Sequence, residues 1–230
     1  MEKIAIILYG PPGSGKGTQA NLLASKTSLM HFDTGRFLEA VVHDPARRKE
    51  KLIQKERKLF DSGMLMTPSF VLREAKRETS RIARAGAGII FTGSPRTEYE
   101  ARGLFPLLRK LYSKKKIFIF ELRVPDAVSI TRNGSRMICK VCGYTLLAAF
   151  YPKTRRPAKH CPVCGGLFYK RTLDTQSVIK VRLKEYRERT IPVFTLAKKM
   201  GFRVVTINAT LPPYRVYRNI HAFLKNALRY

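Results

Sequence analysis

Gly10-Pro11-Pro12-Gly13-Ser14-Gly15-Lys16-Gly17-Thr18 stands between an apolar run, Ile4 to Tyr9, and a stretch of helical character from Thr18 to Ser28. A glycine-rich turn in that setting lets successive backbone N–H groups point inward at phosphate oxygens, while the following helix offers its positive end. The lysine can then reach the β and γ oxygens of a triphosphate, and a hydroxyl near it suits a magnesium ion. Gly13, Ser14, Gly15, Lys16, Gly17 and Thr18 are therefore the expected triphosphate cradle, with Thr18 as the hydroxyl. It stands one residue later than in the commonest form of the pattern.

Working outward, short β-rich runs alternate with longer amphipathic stretches, the signature of parallel strands joined by helices. Strands are predicted at Lys3 to Tyr9, Met30 to Phe32, Gly88 to Thr92, Lys116 to Arg123 and Arg203 to Asn208. Helices are predicted at Thr18 to Ser28, Pro68 to Ala85, Thr97 to Tyr112, Thr175 to Met200 and Pro212 to Leu228. The fold class is thus α/β, with a five-stranded parallel sheet flanked by helices. Two stretches break the alternation. Asp44 to Asp61 is dominated by Lys and Arg, with Leu52, Ile53 and Leu59 spaced as the apolar side of a short, otherwise solvated helix. Met137 to Tyr169 carries all the cysteines and reads as a small inserted module.

In that module Cys139-x-x-Cys142 and Cys161-x-x-Cys164 form two pairs, each followed by a glycine, Gly143 and Gly165. Four thiolates at this spacing suit a structural zinc ion, whose closed tetrahedron leaves no position for an activated water. The metal would replace a hydrophobic core in a module too small to have one. His160 adjoins the third cysteine and reads as an ordinary loop residue; His31, His43 and His221 carry no usable signal.

The chain has 230 residues, with 45 Lys and Arg against 16 Asp and Glu, a formal charge of +29, and 44% apolar residues. That composition excludes wholesale disorder and supports a buried core. No apolar run approaches the ~20 residues of a membrane span, and the first residues lack a signal-peptide pattern. A cytoplasmic location is expected. Charge of this size attracts polyanions, so RNA or ribosome contact through a basic surface is a further expectation, with Asp44 to Lys58, Lys114-Lys115-Lys116 and Lys153 to Lys159 as its densest runs.

Gly10 to Gln19 resembles the opening of an adenylate kinase, and further likenesses follow in order. Phe32-Asp33-Thr34-Gly35 is similar to the family's S-T-G turn, Gly63-Met64-Leu65-Met66 to its G-x-L-V segment, and Gly93-Ser94-Pro95-Arg96-Thr97 to its G-F-P-R-T. Arg132 to Arg136 resembles the start of its lid, Arg171 its R-D-D arginine, Arg182-Leu183-x-x-Tyr186 its R-L-x-x-Y helix, and Asn208-Ala209-Thr210 its late D-G-T turn.

The resemblance implies a P-loop NTPase fold and reversible, magnesium-dependent transfer of the γ-phosphoryl of ATP to a nucleoside monophosphate, AMP first, by a monomer. It implies a core of residues 1–33, 68–131 and 175–230, an acceptor-binding segment at 34–67, and a lid at 132–174 with the cysteine site. Lys16 would hold donor phosphates, Arg136 and Arg171 would approach from the lid, and Arg96 and Arg182 would bind the acceptor phosphate. Arg132 would lie against the donor adenine, and Thr34, Leu65, Met66, Gly93 and Glu100 would complete the acceptor pocket.

On the acceptor side the sequence departs from the pattern. Where the family reads T-G-D-x-L-R, this chain has Thr34-Gly35-Arg36-Phe37-Leu38-Glu39, exchanging acidic and basic positions, so Arg36 is the residue that could restore the lost positive charge. Thr92 replaces an aspartate that helps organise magnesium, Glu100 replaces a base-reading glutamine, and Thr172 and Leu173 replace two aspartates, with Asp174 kept. Two other readings follow from the charge and these departures: a nucleotide-dependent RNA- or ribosome-binding descendant of the kinase fold, and an ATPase without a phosphoryl acceptor.

Overall fold

The structure, a computed structural model, describes residues 3–146 and 159–228. Lys153, Arg155 and Arg156 of the third basic run lie outside the described residues. Five parallel strands form the main sheet in the order β2-β3-β1-β4-β8: β1 (Ala5–Tyr9), β2 (Met30–Asp33), β3 (Ile89–Thr92), β4 (Ile117–Arg123) and β8 (Val204–Asn208). All five strands predicted from sequence are present. Their composition explains the burial. Side chains alternate between faces along a strand, so Ala5, Ile7 and Tyr9 pack on one side while Ile4, Ile6 and Leu8 pack on the other.

The first side is covered by α4 (Pro68–Arg84), α5 (Glu98–Tyr112) and α8 (Ile191–Lys199), which bury Ile82, Leu104, Phe105, Leu108 and Val193 against Phe91 and Ile119. The second is covered by α1 (Lys16–Lys26) and α9 (Pro213–Leu228), through Leu23, Val216 and Ile220 against Phe118 and Phe120. With Ile, Val, Leu and Phe on both faces, the central strands read as continuous apolar runs, as parallel strands between two helical layers must.

Two helices appear that the sequence pattern did not reveal. The first, α2 (Thr34–Val42), starts at Asp33, whose carboxylate accepts from the Arg36 N–H at 3.2 Å. The second, α6 (Asp126–Gly134), follows β4. The basic run folds partly into α3 (Lys51–Asp61), and a separate small core joins it to α2 through Leu38, Val42, Ile53, Met66, Phe70 and Val71. Ile53 and Leu59 face this core as expected, but Leu52 turns outward and is exposed.

The helix expected over Thr175 to Met200 is interrupted. α7 (Gln176–Glu185) passes into a π-helical turn, Tyr186–Thr190, before α8 begins. Pro192 lies in the first turn of α8, where its missing N–H costs nothing, and wider hydrogen bonding just before it absorbs the extra residue.

The inserted module is a three-stranded antiparallel sheet ordered β6-β5-β7, of β5 (Met137–Cys139), β6 (Thr145–Leu146) and β7 (Phe168–Tyr169). Among the described residues, no helix is long and apolar enough to cross a membrane.

Candidate active site

The loop between β1 and α1 turns on glycines at positive φ: Gly10 (149°), Gly13 (72°) and Gly15 (90°). A Cβ on Gly13 would stand 2.5 Å from the Asn133 amide and 3.0 Å from the Ser129 carbonyl, so α6 can press against the loop only because no side chain intervenes. The Ser129 hydroxyl donates to the Pro12 carbonyl at 2.5 Å, and Asn133 donates to the Ser129 carbonyl at 2.7 Å. These two buried residues of α6 fix the outer wall of the loop. Their signal in the sequence is only their distance from Val124-Pro125, which closes β4.

Lys16 folds back over the turn and donates to the carbonyls of Gly10 and Pro11, both at 2.8 Å. Its ammonium is held well below the usual lysine range, first by burial and then by the positive charges of Arg96, Arg182 and Arg136. Side chains from four separate segments converge here, for Lys16, Arg96 and Arg182 line one cavity and Asp174 joins Arg136 to Arg182. The cavity there is lined by Tyr9, Gly10, Pro12, Lys16, Gly63, Leu65, Gly93, Arg96, Arg182 and Glu185, among others.

Arg182 comes from α7 and is pushed down to about 9 by burial and by Arg96, Arg136 and Arg171, with Asp174 working in the opposite direction. Asp174 is fully enclosed and clasps Arg136 through two hydrogen bonds of 2.9 and 2.5 Å, with Arg182 at 3.9 Å. One carboxylate thus orients two arginines. Room for the Arg96 guanidinium depends on Gly93, where a Cβ would stand 3.0 Å from its Nη2. Burial also lowers Arg96, although Glu100 and Asp33 oppose the shift.

The acceptor-side residues predicted from sequence divide. Leu65 and Gly93 line the cavity; the Leu65 N–H donates to Glu185 at 3.2 Å. Met66 instead belongs to the small core with Ile53. Thr34 is buried at the start of α2, its hydroxyl without a hydrogen-bond partner. Glu100 does not line the cavity. It is 2% exposed and accepts from the Arg96 N–H at 2.8 Å and the Thr97 hydroxyl at 2.9 Å, while Thr97 accepts from the Glu100 N–H. This is a variant of the capping box at the start of α5, with Glu100 reaching one residue past the N-cap Thr97 to the Arg96 N–H.

Arg36 does not take up the place of the missing acceptor arginine. Its guanidinium lies against Gly143 in the inserted module, 3.4 Å from where a Cβ would stand. One helical turn on, Glu39 accepts from Arg171 at 2.6 Å. Thr92 is occupied by a partner distant from it along the chain: His31 Nε2 lies 2.8 Å from its hydroxyl, and Nδ1 lies 2.8 Å from Asn21 Oδ1. Arg132 donates to the carbonyls of Ala209 and Thr210 at 2.8 and 3.0 Å, tying the start of the inserted module to the turn after β8.

The cysteines are arranged for a metal. All four sulfur atoms lie within 4.8 Å of one another, with Cys139 to Cys164 at 3.4 Å and Cys142 to Cys161 at 3.6 Å. A tetrahedral zinc with bonds of about 2.3 Å needs sulfur atoms about 3.8 Å apart. The two halves repeat one geometry. Val141 N–H and Val163 N–H each approach the preceding cysteine sulfur at 3.4 Å, and Gly143 and Gly165, at φ near 70°, each donate to the carbonyl of the first cysteine of their pair. N–H groups directed at sulfur favour the thiolate form that a metal binds. His160 Nδ1 is instead bonded to the Gly165 carbonyl at 3.0 Å.

Cations gathered on both sides of one phosphate loop suit movement of a phosphoryl group between two nucleotides, and the protein is accordingly a P-loop phosphotransferase. The chain belongs to the adenylate kinase family. The family's sequence model matches residues 8–202. Similar proteins include an adenylate kinase of Methanothrix thermoacetophila, 36% identical over 88% of this chain and 90% of that protein. Another is that of Caldicellulosiruptor bescii, 34% identical over 87% and 89%. That of Methanosarcina barkeri is 33% identical over 96% and 98%.

Proposed function

We propose that the protein is a nucleoside monophosphate kinase that transfers the γ-phosphoryl group of ATP to AMP and runs in reverse from two ADP. The observation that carries this reading is geometric: Lys16, Arg96 and Arg182 line one cavity beside the glycine loop, with Arg136 held next to it by Asp174, a gathering of positive groups suited to phosphate anions.

In this reading Gly13 to Thr18 cradle the donor phosphates, Lys16 follows the transferring group, and Arg132 borders the donor base. Arg96 and Arg182 hold the acceptor phosphate, while Arg136 and Arg171 approach from the module at 132–174, acting as a lid. Phosphoryl transfer asks little covalent chemistry of the protein; alignment, exclusion of water and distributed positive charge lower the barrier. Bidentate guanidinium groups supply the alignment. Magnesium, when bound with ATP, would neutralise phosphate charge, and the Thr18 hydroxyl would help to hold it. Structural zinc on Cys139, Cys142, Cys161 and Cys164 would give the lid its rigidity.

The same reading has residues 34–67 serve as the acceptor segment and the chain act as a cytoplasmic monomer whose basic surface also meets RNA. A coupled assay of ATP against AMP, CMP, UMP and GMP tests the central claim. AMP should be the best acceptor and Lys16→Ala should abolish turnover. Absence of phosphorylation of every monophosphate would overturn it.

A further inference from the structure

Most of the positive charge has no place in the nucleotide site, and part of it collects at the far end of the sheet. In a parallel α/β sheet the loops after the strands build the ligand site, while the strand starts and helix ends lie opposite. At that opposite end the close of α5, the turn Lys114–Lys116 and the close of α8 are joined. Arg109 donates to the Met200 carbonyl and stacks over the Phe202 ring at 4.8 Å, and Lys114 Nζ lies 2.5 Å from where a Cβ on Gly201 would stand.

Lys110, Lys114, Lys115, Lys198, Lys199 and Arg203 are exposed around this joint. Residues 101–120 and 189–208 contain no Asp or Glu, and none of the six forms an ion pair among the described residues. One or two cations complement the negative end of a helix. Six around two helix ends exceed that need and repel one another.

We propose that this end of the protein docks the phosphate backbone of double-stranded RNA. A protein partner would be matched by apolar residues among the charges, and here Phe202 and Tyr112 are buried beneath them. The half-buried Phe223 ring is covered by Arg203 at 5.1 Å, so among the described residues of this surface no ring offers a free face on which single-stranded bases could stack. Helix ends, not helix sides, face outward, so nothing here can lie along a DNA major groove, whereas an A-form duplex is held by its shape and backbone. The joint lies at the strand starts, opposite the loop that carries Lys16, although Lys198 also borders a cavity that runs toward Pro11; both sites can be filled together.

The test is fluorescence anisotropy with a labelled RNA duplex of about two helical turns, titrated at several salt concentrations, beside a DNA duplex of the same sequence and poly-glutamate. Six phosphate contacts give a slope of log affinity on log salt of about −5. The quadruple variant Lys114→Ala, Lys115→Ala, Lys198→Ala, Lys199→Ala should lose at least tenfold in affinity and flatten the slope by about 3 to 4. A control that removes equal charge from the other basic run, Lys49→Ala, Lys51→Ala, Lys55→Ala, Lys58→Ala, should lose less than threefold. Equal losses in the two quadruple variants, tighter binding of the DNA duplex, or equal binding of poly-glutamate would each overturn the proposal. If the first quadruple variant does not fold, Lys114→Glu and Lys199→Glu singly carry the same comparison. Lys16→Ala should bind the duplex unchanged, which separates failure here from failure of the kinase reading.

Discussion

Glu39 on α2 and Arg171 at the end of the inserted module form an ion pair of 2.6 Å, and one turn earlier Arg36 rests on the first cysteine knuckle at Gly143. The exchanged charges on α2 therefore work as a pair of contacts to the module. In the proposed reading a carboxylate therefore stands near the acceptor phosphate and holds an arginine that the phosphate would attract.

Removing that carboxylate should help the acceptor. Glu39→Ala frees Arg171 and deletes a like charge, so the KM for the monophosphate should fall about threefold to tenfold, a modest gain because the pair is partly open to solvent. The KM for ATP should stay constant. Steady-state kinetics with each nucleotide varied in turn checks both, and a rise in acceptor KM would show that Glu39 assists the acceptor.

Arg182 should cost the empty protein stability. In the unfolded chain its pKa lies in the ordinary arginine range, and in the folded site it is pushed down to about 9, first by burial and then by neighbouring arginines. Below pH 9 the group is charged in both states and the repulsion is fully present; above it the unfolded chain binds more protons, so stability from this group rises with pH. Arg182→Met should then melt higher than wild type at pH 7, and the gap should narrow from about pH 9 upward. A nucleotide that spans both phosphate sites should raise the melting temperature of the wild type far more than that of the variant. Thermal melts across pH 7 to 10, with and without ligand, measure this, and a lower melting temperature for the empty variant would contradict it.

Glu100 should have little voice in base selection. Both its oxygens serve the start of α5, and glutamine can keep the bond from the Arg96 N–H. Glu100→Gln is expected to leave the ranking of the four monophosphates unchanged in the coupled assay. A marked shift toward AMP would place this side chain in the base pocket after all. Thr97→Ala, which removes the cap hydroxyl, should lower stability by about 1 kcal/mol.

What could be read from sequence was what lies contiguous in it. Ile4 to Thr18 carries a strand, a loop and a helix start in one uninterrupted pattern, and the two cysteine pairs bring their own spacing. Position in a motif points Glu100 and Met66 toward the acceptor pocket, yet the cap of α5 and the small core of α2, α3 and α4 hold them. Neither destination leaves a mark on the motif. The His31 to Thr92 bond joins residues 61 positions apart on neighbouring strands, and α6 hides because Ser129 and Asn133, the residues it buries, are polar and serve the loop, not an apolar core. Partners set by strand register and by packing of polar groups are visible only after folding.

The cysteine module should depend on its metal for order. Its antiparallel sheet has strands of three, two and two residues, too short to stand alone. Two N–H groups point at sulfur, and the four thiols lie at metal-binding separations. Elemental analysis should find about one zinc per chain. Stripping it with a strong chelator should expose four titratable thiols and make the module the first site of proteolysis, while the main sheet stays folded because the cores on its two faces are built from other segments. Turnover should fall at least tenfold, since Arg136 and Arg171 flank the module at its two ends, and adding zinc back should restore it. Full activity in a protein proven free of metal would show that the thiols suffice to hold the module in shape.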